Sequence, residues 1–266
     1  QGPMVAGVVT RKDRTMKSDR WSRQFRKMVV LGESTVQGGG WIASEQERWA
    51  DLLAALISEC QDQPIEYVNK GIGANSISTR SPGYEASAKP SAIERYRKDV
   101  IEEKPDLFLL CYGLNDMRCA MPLDEFIGEM RTIIRDTQKE CDALIVLTTV
   151  YYMTGWRSYP PFDKGSEALT LEYNAAIAKL ADEENCLLAD IWEGEDGADW
   201  VINPCGVHAN KVGNLLIAHA VFRAIATNCS ALSIMTQERD STTEWAVNTS
   251  GARERDGDPF DPWWKV

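Results

Sequence analysis

Short apolar runs alternate with amphipathic stretches along most of this chain. Residues 27–31 read Lys-Met-Val-Val-Leu and stop at Gly32, a run whose β-branched positions predict a buried strand. A loop with Gly38-Gly39-Gly40 follows, and from 45 to 60 the apolar residues Trp49, Leu52, Leu53, Leu56, Ile57 and Cys60 recur at helical spacing. Residues 65–68 predict a second strand. Ser91-Ala92-Ile93-Glu94 has the form of a capping box, opening a helix that turns Tyr96, Val100 and Ile101 inward and stops at Pro105. Residues 107–111 (Leu-Phe-Leu-Leu-Cys) predict a third strand, 123–140 a helix carrying Phe126, Ile127, Met130, Ile133 and Ile134, and 143–150 a fourth strand. After a loop rich in Tyr, Trp and Pro (151–161), a helix over 169–184, a strand over 186–191 and a helix over 212–226 complete the pattern.

Strands and helices that alternate in this way predict one α/β domain, a three-layer α/β/α sandwich with a five-stranded, largely parallel sheet of flavodoxin-like type. Ligands of such sheets bind beyond the carboxyl ends of the strands. The opening Gln1-Gly2-Pro3 reads as a tag remnant (1–3), followed by an N-terminal extension (4–26), the domain (27–232) and a polar tail (233–266). The tail sets Trp245, Trp263 and Trp264 among Pro and Asp without a clear period. It reads as a weakly ordered extension or as an arm over the domain or a neighbouring subunit, the route by which the chain would oligomerise.

Composition narrows the function. With 29 basic and 40 acidic side chains the formal charge is -11, which repels nucleic-acid phosphates and anionic membrane surfaces. No apolar run of about 18 residues could span a bilayer. With Met4 taken as the start, the expected location is cytoplasmic; secretion is the alternative if a leader has been removed. Seven cysteines and two histidines, with no Cys-x-x-Cys pair, offer little to a zinc site, so no metal and no cofactor is expected. Cys60, Cys111 and Cys186 lie among apolar neighbours and read as core thiols. His219 continues the stripe of Val212, Leu215 and Leu216 and reads as core-facing.

Four strand-end or helix-start segments carry candidate chemistry. The first strand runs into Gly32-Glu33-Ser34; alone, such a serine is ordinarily a turn residue or a helix cap. The second runs into Asn69-Lys70-Gly71-Ile72-Gly73-Ala74-Asn75, a small-residue turn that can bring backbone N–H groups near a ligand. The third gives Tyr112-Gly113-Leu114-Asn115-Asp116, and the last helix is preceded by Cys205-Gly206-Val207-His208-Ala209-Asn210.

Taken in order, these segments resemble the SGNH (GDSL-like) hydrolase family over roughly residues 27–226, the Gly-x-Asn-Asp at 113–116 and the Gly-Val-His-x-Asn at 206–210 being the most specific pieces. The resemblance implies a serine esterase in which Ser34 attacks, His208 takes and returns the proton, and the Ser34 N–H, the Ala74 N–H and the Asn115 amide receive the oxyanion. Three departures stand out. Glu33 replaces the family's aspartate, a mild change. Ala74 replaces its oxyanion glycine, which is harmless provided no positive φ is needed there, with Gly73 in reserve. Cys205 stands where the family has the aspartate that orients the histidine, and an amide at that position in a serine protease triad lowers the rate by about 10⁴. A backbone carbonyl, or a carboxylate from the acidic 193–199 loop with Asp199 first, could take over, or activity could be weak or lost; acidic loops of this kind are ordinarily only solvated. A second nucleophile at Cys205 is disfavoured, because three positions along the chain do not place the thiol on His208.

The expected substrate is a small acyl ester, an acetyl group in the first place, on a small molecule or a carbohydrate, since Tyr151, Tyr152, Trp156 and Tyr159 follow the fourth strand on the site face and aromatic faces suit sugars. Acyl transfer and thioester hydrolysis use the same intermediate. The alternative from another class is a non-catalytic binding protein on the same fold, motivated by Cys205. A flavodoxin-like nucleotide binder lacks support, because no GxxxxGK loop follows any strand.

Overall fold

The computed structural model describes residues 18–243; the tag remnant, most of the N-terminal extension and the three tail tryptophans lie outside the described residues. Five strands, β1 (Lys27–Gly32), β2 (Glu66–Gly71), β3 (Leu107–Cys111), β4 (Leu144–Thr148) and β5 (Leu187–Ala189), form one sheet in the order β2-β1-β3-β4-β5. All four pairings are parallel, and the register sets Gly32 opposite both Gly71 and Cys111. β3 and β4 are buried at every residue, which is why they read as unbroken apolar runs, whereas edge strand β2 is half-exposed.

The helices in chain order are α1 (Ser34–Gln37), α2 (Trp49–Glu59), α3 (Ala92–Tyr96), α4 (Leu114–Arg118), α5 (Leu123–Glu140), α6 (Glu167–Glu183), α7 (Ile191–Glu195), α8 (Lys211–Ala226) and α9 (Ile234–Ser241). The chain crosses one way from β1 to β2 and the other way from β2 through β3 to β5, which under the right-handed rule for parallel crossovers puts α2 on one face and α3, α5 and α6, packed side by side, on the other. α8 returns to the α2 face and packs on it, with the Trp49 N–H donating to Asn214 Oδ1 at 3.0 Å. The strand order therefore reverses between β1 and β3, and the crevice above that point lies between the loops carrying Ser34 and Asn115.

The elements depart from the periodic reading where side chains replace backbone partners. β4 stops at Thr148 because Asn174 takes both the N–H (2.7 Å) and the C=O (3.0 Å) of Val150. β5 stops at Ala189 because Asp190 caps α7 through the Glu193 N–H at 3.0 Å, turning the chain at Ile191. The helix expected from 45 breaks at Arg48 (ψ 137), leaving a 3₁₀ turn before α2. The capping box at Ser91 and Glu94 forms, and α3 continues as a π turn through Ile101.

One expectation fails. His219 is exposed: α8 turns Gly213, Asn214, Ile217, Ala218, Val221 and Ile225 inward and leaves Val212 and Leu215 on the surface. Close approach sets that register, since a Cβ on Gly213 would lie 2.6 Å from the Val201 carbonyl oxygen. The start of the polar tail forms α9, whose face buries no residue and so carries no apolar period. Ahead of Lys27, Trp21 and Phe25 stack at 5.6 Å and are buried against the segment after α8, where the Ala231 N–H donates to the Trp21 carbonyl at 3.1 Å. Cys111 and Cys186 are buried and Cys60 is half-buried, as their apolar neighbours predict.

Candidate active site

Ser34 is the first residue of α1, directly beyond β1, and α1 lies close enough to β2 that a Cβ on Gly71 would come within 2.2 Å of the Gln37 nitrogen. The serine is nearly buried, and its Oγ lies 2.9 Å from Nε2 of His208, although 174 positions separate the two. When the hydroxyl donates to Nε2, the ring hydrogen sits on Nδ1. Nδ1 faces the Cys205 sulfur at 3.3 Å, and the backbone N–H of His208 also donates to that sulfur at 3.4 Å. The thiol is thus in contact with His208, contrary to the expectation from chain spacing, and it occupies the acceptor position at Nδ1. Burial first, and the nearby Arg118 cation second, push the His208 pKa down from 6.5 to about 4.

Asp199 is not at the histidine. Its carboxylate accepts from the Tyr152 hydroxyl at 2.6 Å, so the Nδ1 partner is Cys205 and not an acid of the 193–199 loop. That loop is not merely solvated either. Glu195 is buried, accepts the Tyr152 N–H at 2.9 Å, and has its pKa raised to about 8 by desolvation.

On the opposite side, Asn115 is buried at the start of α4, preceded by Gly113 at φ +128, a conformation that favours glycine. One hydrogen of its Nδ2 goes to the Asn75 carbonyl at 2.9 Å; the amide carries a second. Glu33 holds this loop to the serine loop: its Oε1 accepts the N–H of Gly113 at 3.0 Å and of Asn115 at 3.4 Å. Asp116 does the same for the third loop by accepting the Ile77 N–H at 3.1 Å. Burial raises the pKa of both acids, Asp116 to about 7. Arg95 spans all three strand ends, donating to the carbonyls of Lys70 (2.9 Å) and Gly32 (3.2 Å) and to the Tyr112 hydroxyl (2.7 Å).

Ala74 adopts φ +51, the left-handed region that its sequence reading required it to avoid. Gly73 is no free reserve, because its N–H already donates to Gln37 Oε1 at 2.6 Å. Of the aromatic residues after β4, Tyr151 is buried, Tyr152 meets Trp156 and Trp192 edge-on at 5.8 and 5.4 Å, and Tyr159 is exposed.

Sequence reasoning missed Trp41, whose indole stacks on the imidazole of His208 with centroids 3.6 Å apart and planes within 8°. A tryptophan directly after three glycines was its only signal. It missed Arg95 as well, whose i,i+4 pairing with Asp99 looks in sequence like an ordinary surface pair.

A parallel sheet that carries a hydrogen-bonded serine and histidine at its switch point is the architecture of a serine ester hydrolase. The chain belongs to the GDSL-like Lipase/Acylhydrolase family, whose model matches residues 30–216, and it is a carboxylic ester hydrolase. It is similar to an acetylxylan esterase from Geobacillus stearothermophilus, 24% identical over 189 residues that cover 65% of this chain and 77% of the relative. The crystal structure of that organism's acetylxylan esterase superposes with a TM-score of 0.58 at 21% identity, covering 77% of this chain and 95% of the other. A lipase/acylhydrolase from Enterococcus faecalis gives a TM-score of 0.61 at 21% identity, covering 75% and 95%. Among the described residues no helix is long and apolar enough to cross a membrane.

Proposed function

We propose that this esterase removes small acyl groups, acetyl in the first place, from a carbohydrate ester by a Ser34–His208 mechanism. The observation that carries the reading is the 2.9 Å contact between Ser34 Oγ and His208 Nε2 in the switch-point crevice. Ser34 attacks the ester carbonyl while Nε2 takes its proton. The oxyanion is received by the Ser34 and Ala74 N–H groups and by the second Asn115 amide hydrogen. The intermediate collapses as His208 returns the proton to the leaving alcohol, and water repeats the sequence on the acyl-serine. With Nδ1–H directed at the Cys205 sulfur, the imidazole holds the tautomer this sequence needs, without a carboxylate.

Two facts support the carbohydrate substrate. The acetylxylan esterase relative shares the family and covers 65% of this chain. An exposed aromatic ring also adjoins the histidine loop: Trp200 is 81% exposed, and its carbonyl accepts from Asn210, two positions after His208. The test is acetate release from acetylated xylooligosaccharides beside a series of p-nitrophenyl esters of increasing acyl length. The proposal expects Ser34-dependent deacetylation and turnover that falls beyond short acyl chains. Preference for long acyl chains, or no release from the oligosaccharides, would overturn the substrate assignment.

A further inference from the structure

The base in this site works against its surroundings. The proton transfer from Ser34 makes His208 an imidazolium, yet the ring is largely shielded from water, and Arg118 from α4 opposes the positive charge. The group that ordinarily offsets this, a carboxylate at Nδ1, is replaced by the Cys205 sulfur, a weak and neutral acceptor. What the structure adds is an aromatic face. The indole of Trp41 lies parallel to the imidazole at 3.6 Å, within the range where a π face attracts a cation.

This placement is built in. The Trp41 carbonyl accepts from Asn203 Nδ2 at 3.2 Å, tying the tryptophan loop to the loop that carries His208. The indole folds back over Gly39, where a Cβ would sit 2.3 Å from the ring, so the position depends on a missing side chain two residues earlier. We propose that Trp41 is the positioning residue that stands in for the absent carboxylate, its indole face fixing the imidazole plane of His208 and stabilising the imidazolium formed when Ser34 gives up its proton. The assignment rests on the Ser34–His208 reading above.

The two roles of a carboxylate are thereby divided between two neutral groups. Cys205 selects the tautomer by accepting Nδ1–H, and Trp41 supplies the attraction for charge, which a neutral sulfur does not. The titratable and charged groups that face the ring are Arg118 and Cys205, and neither favours the cation.

The test measures kcat, KM and the pH profile on p-nitrophenyl acetate for wild type, Trp41→Leu and Trp41→Phe, each also in a Cys205→Asp background, with Ser34→Ala as control. Trp41→Leu is expected to lower kcat by ~5- to 30-fold, the reach of one cation–π contact, while KM changes by less than about twofold. Trp41→Phe restores most of the loss. The acid limb moves to lower pH in Trp41→Leu, because the imidazolium has lost an attraction; a merely structural loosening would admit water and move the limb up towards 6.5. In the Cys205→Asp background the carboxylate takes over, and the cost of Trp41→Leu shrinks to about twofold or less. An unchanged kcat in Trp41→Leu, an upward shift of the limb, or an equal loss in both backgrounds would overturn the proposal while leaving the serine mechanism in place. Wild-type turnover no greater than that of Ser34→Ala would overturn both together.

Discussion

The two walls of the site are built differently. The wall that carries Asn115, the proposed oxyanion donor, is buried and tied by side-chain hydrogen bonds: Glu33, Arg95, Asn115 and Asp116 are each no more than 5% exposed, and their hydrogen bonds join the ends of β1, β2 and β3. The wall that carries His208 is a half-exposed loop, residues 203–209, held by the sulfur contact, the Trp41 indole face and hydrogen bonds to neighbouring loops, the Thr154 and Gly155 N–H groups donating to the Gly206 carbonyl and Asn203 Nδ2 to the Trp41 carbonyl. Losing a buried carboxylate from the first wall would orphan backbone N–H groups that no water can reach. Losing one from the second wall leaves a position that a thiol can occupy beside solvent, since Cys205 is exposed. On the loop a thiol stands at the Nδ1 acceptor position, while on the buried wall Glu33 and Asp116 hold backbone N–H groups of neighbouring loops.

That contrast can be broken from either side. The largest effect is expected on the buried wall, where Asn115→Ala should lower kcat by about 10² to 10³ with a smaller change in KM, as the loss of one oxyanion donor does. Steady-state kinetics beside a thermal melt separates this from unfolding. On the loop wall, Cys205→Asp should raise kcat by about tenfold or more, since a charged acceptor at Nδ1 can contribute several decades. Asp199→Asn, whose carboxylate serves Tyr152, should change kcat by less than about twofold. The reverse pattern in kcat/KM would return the orienting role to the acidic loop.

The pH profile sharpens the comparison. His208 must be neutral to accept a proton, and its pKa is held down at about 4, so kcat/KM should persist through pH 6.5 and fall only as the pH drops through about 4. A limb near 6.5 would mean an imidazole open to water.

The smallest effect is at Ala74. A non-glycine residue at φ +51 is strained, and Ala74→Gly should raise stability by about 0.5 to 1 kcal/mol, part of the relief being offset by the greater freedom of glycine in the unfolded chain. Chemical denaturation would detect it. No gain would mean that the turn accommodates alanine without strain.

Much of this was legible in the sequence. The interior strands announce themselves as apolar runs because both faces are covered, and the placement of Ser34, Asn115 and His208 around one crevice is legible because each stands at a strand end or before a helix. What escaped was set by contacts between distant segments. Trp41 reaches His208 across 167 positions, and no local pattern encodes that stack. The inward face of α8 is chosen by how closely Gly213 approaches Val201, so an apolar stripe pointed to the wrong side and buried His219 on paper only. Arg95 and Glu195 are ionisable residues that the fold buries against backbone partners, which hydropathy reads as surface.

The account stands on Ser34 being a nucleophile activated by His208, and covalent labelling reads that property without reference to any substrate. Wild type, Ser34→Ala and His208→Ala would each be incubated with a fluorophosphonate and followed by intact mass. The account predicts one adduct on wild type at Ser34, none on Ser34→Ala, and labelling slowed by orders of magnitude in His208→Ala. An unlabelled wild type, or equal labelling after Ser34→Ala, would contradict it.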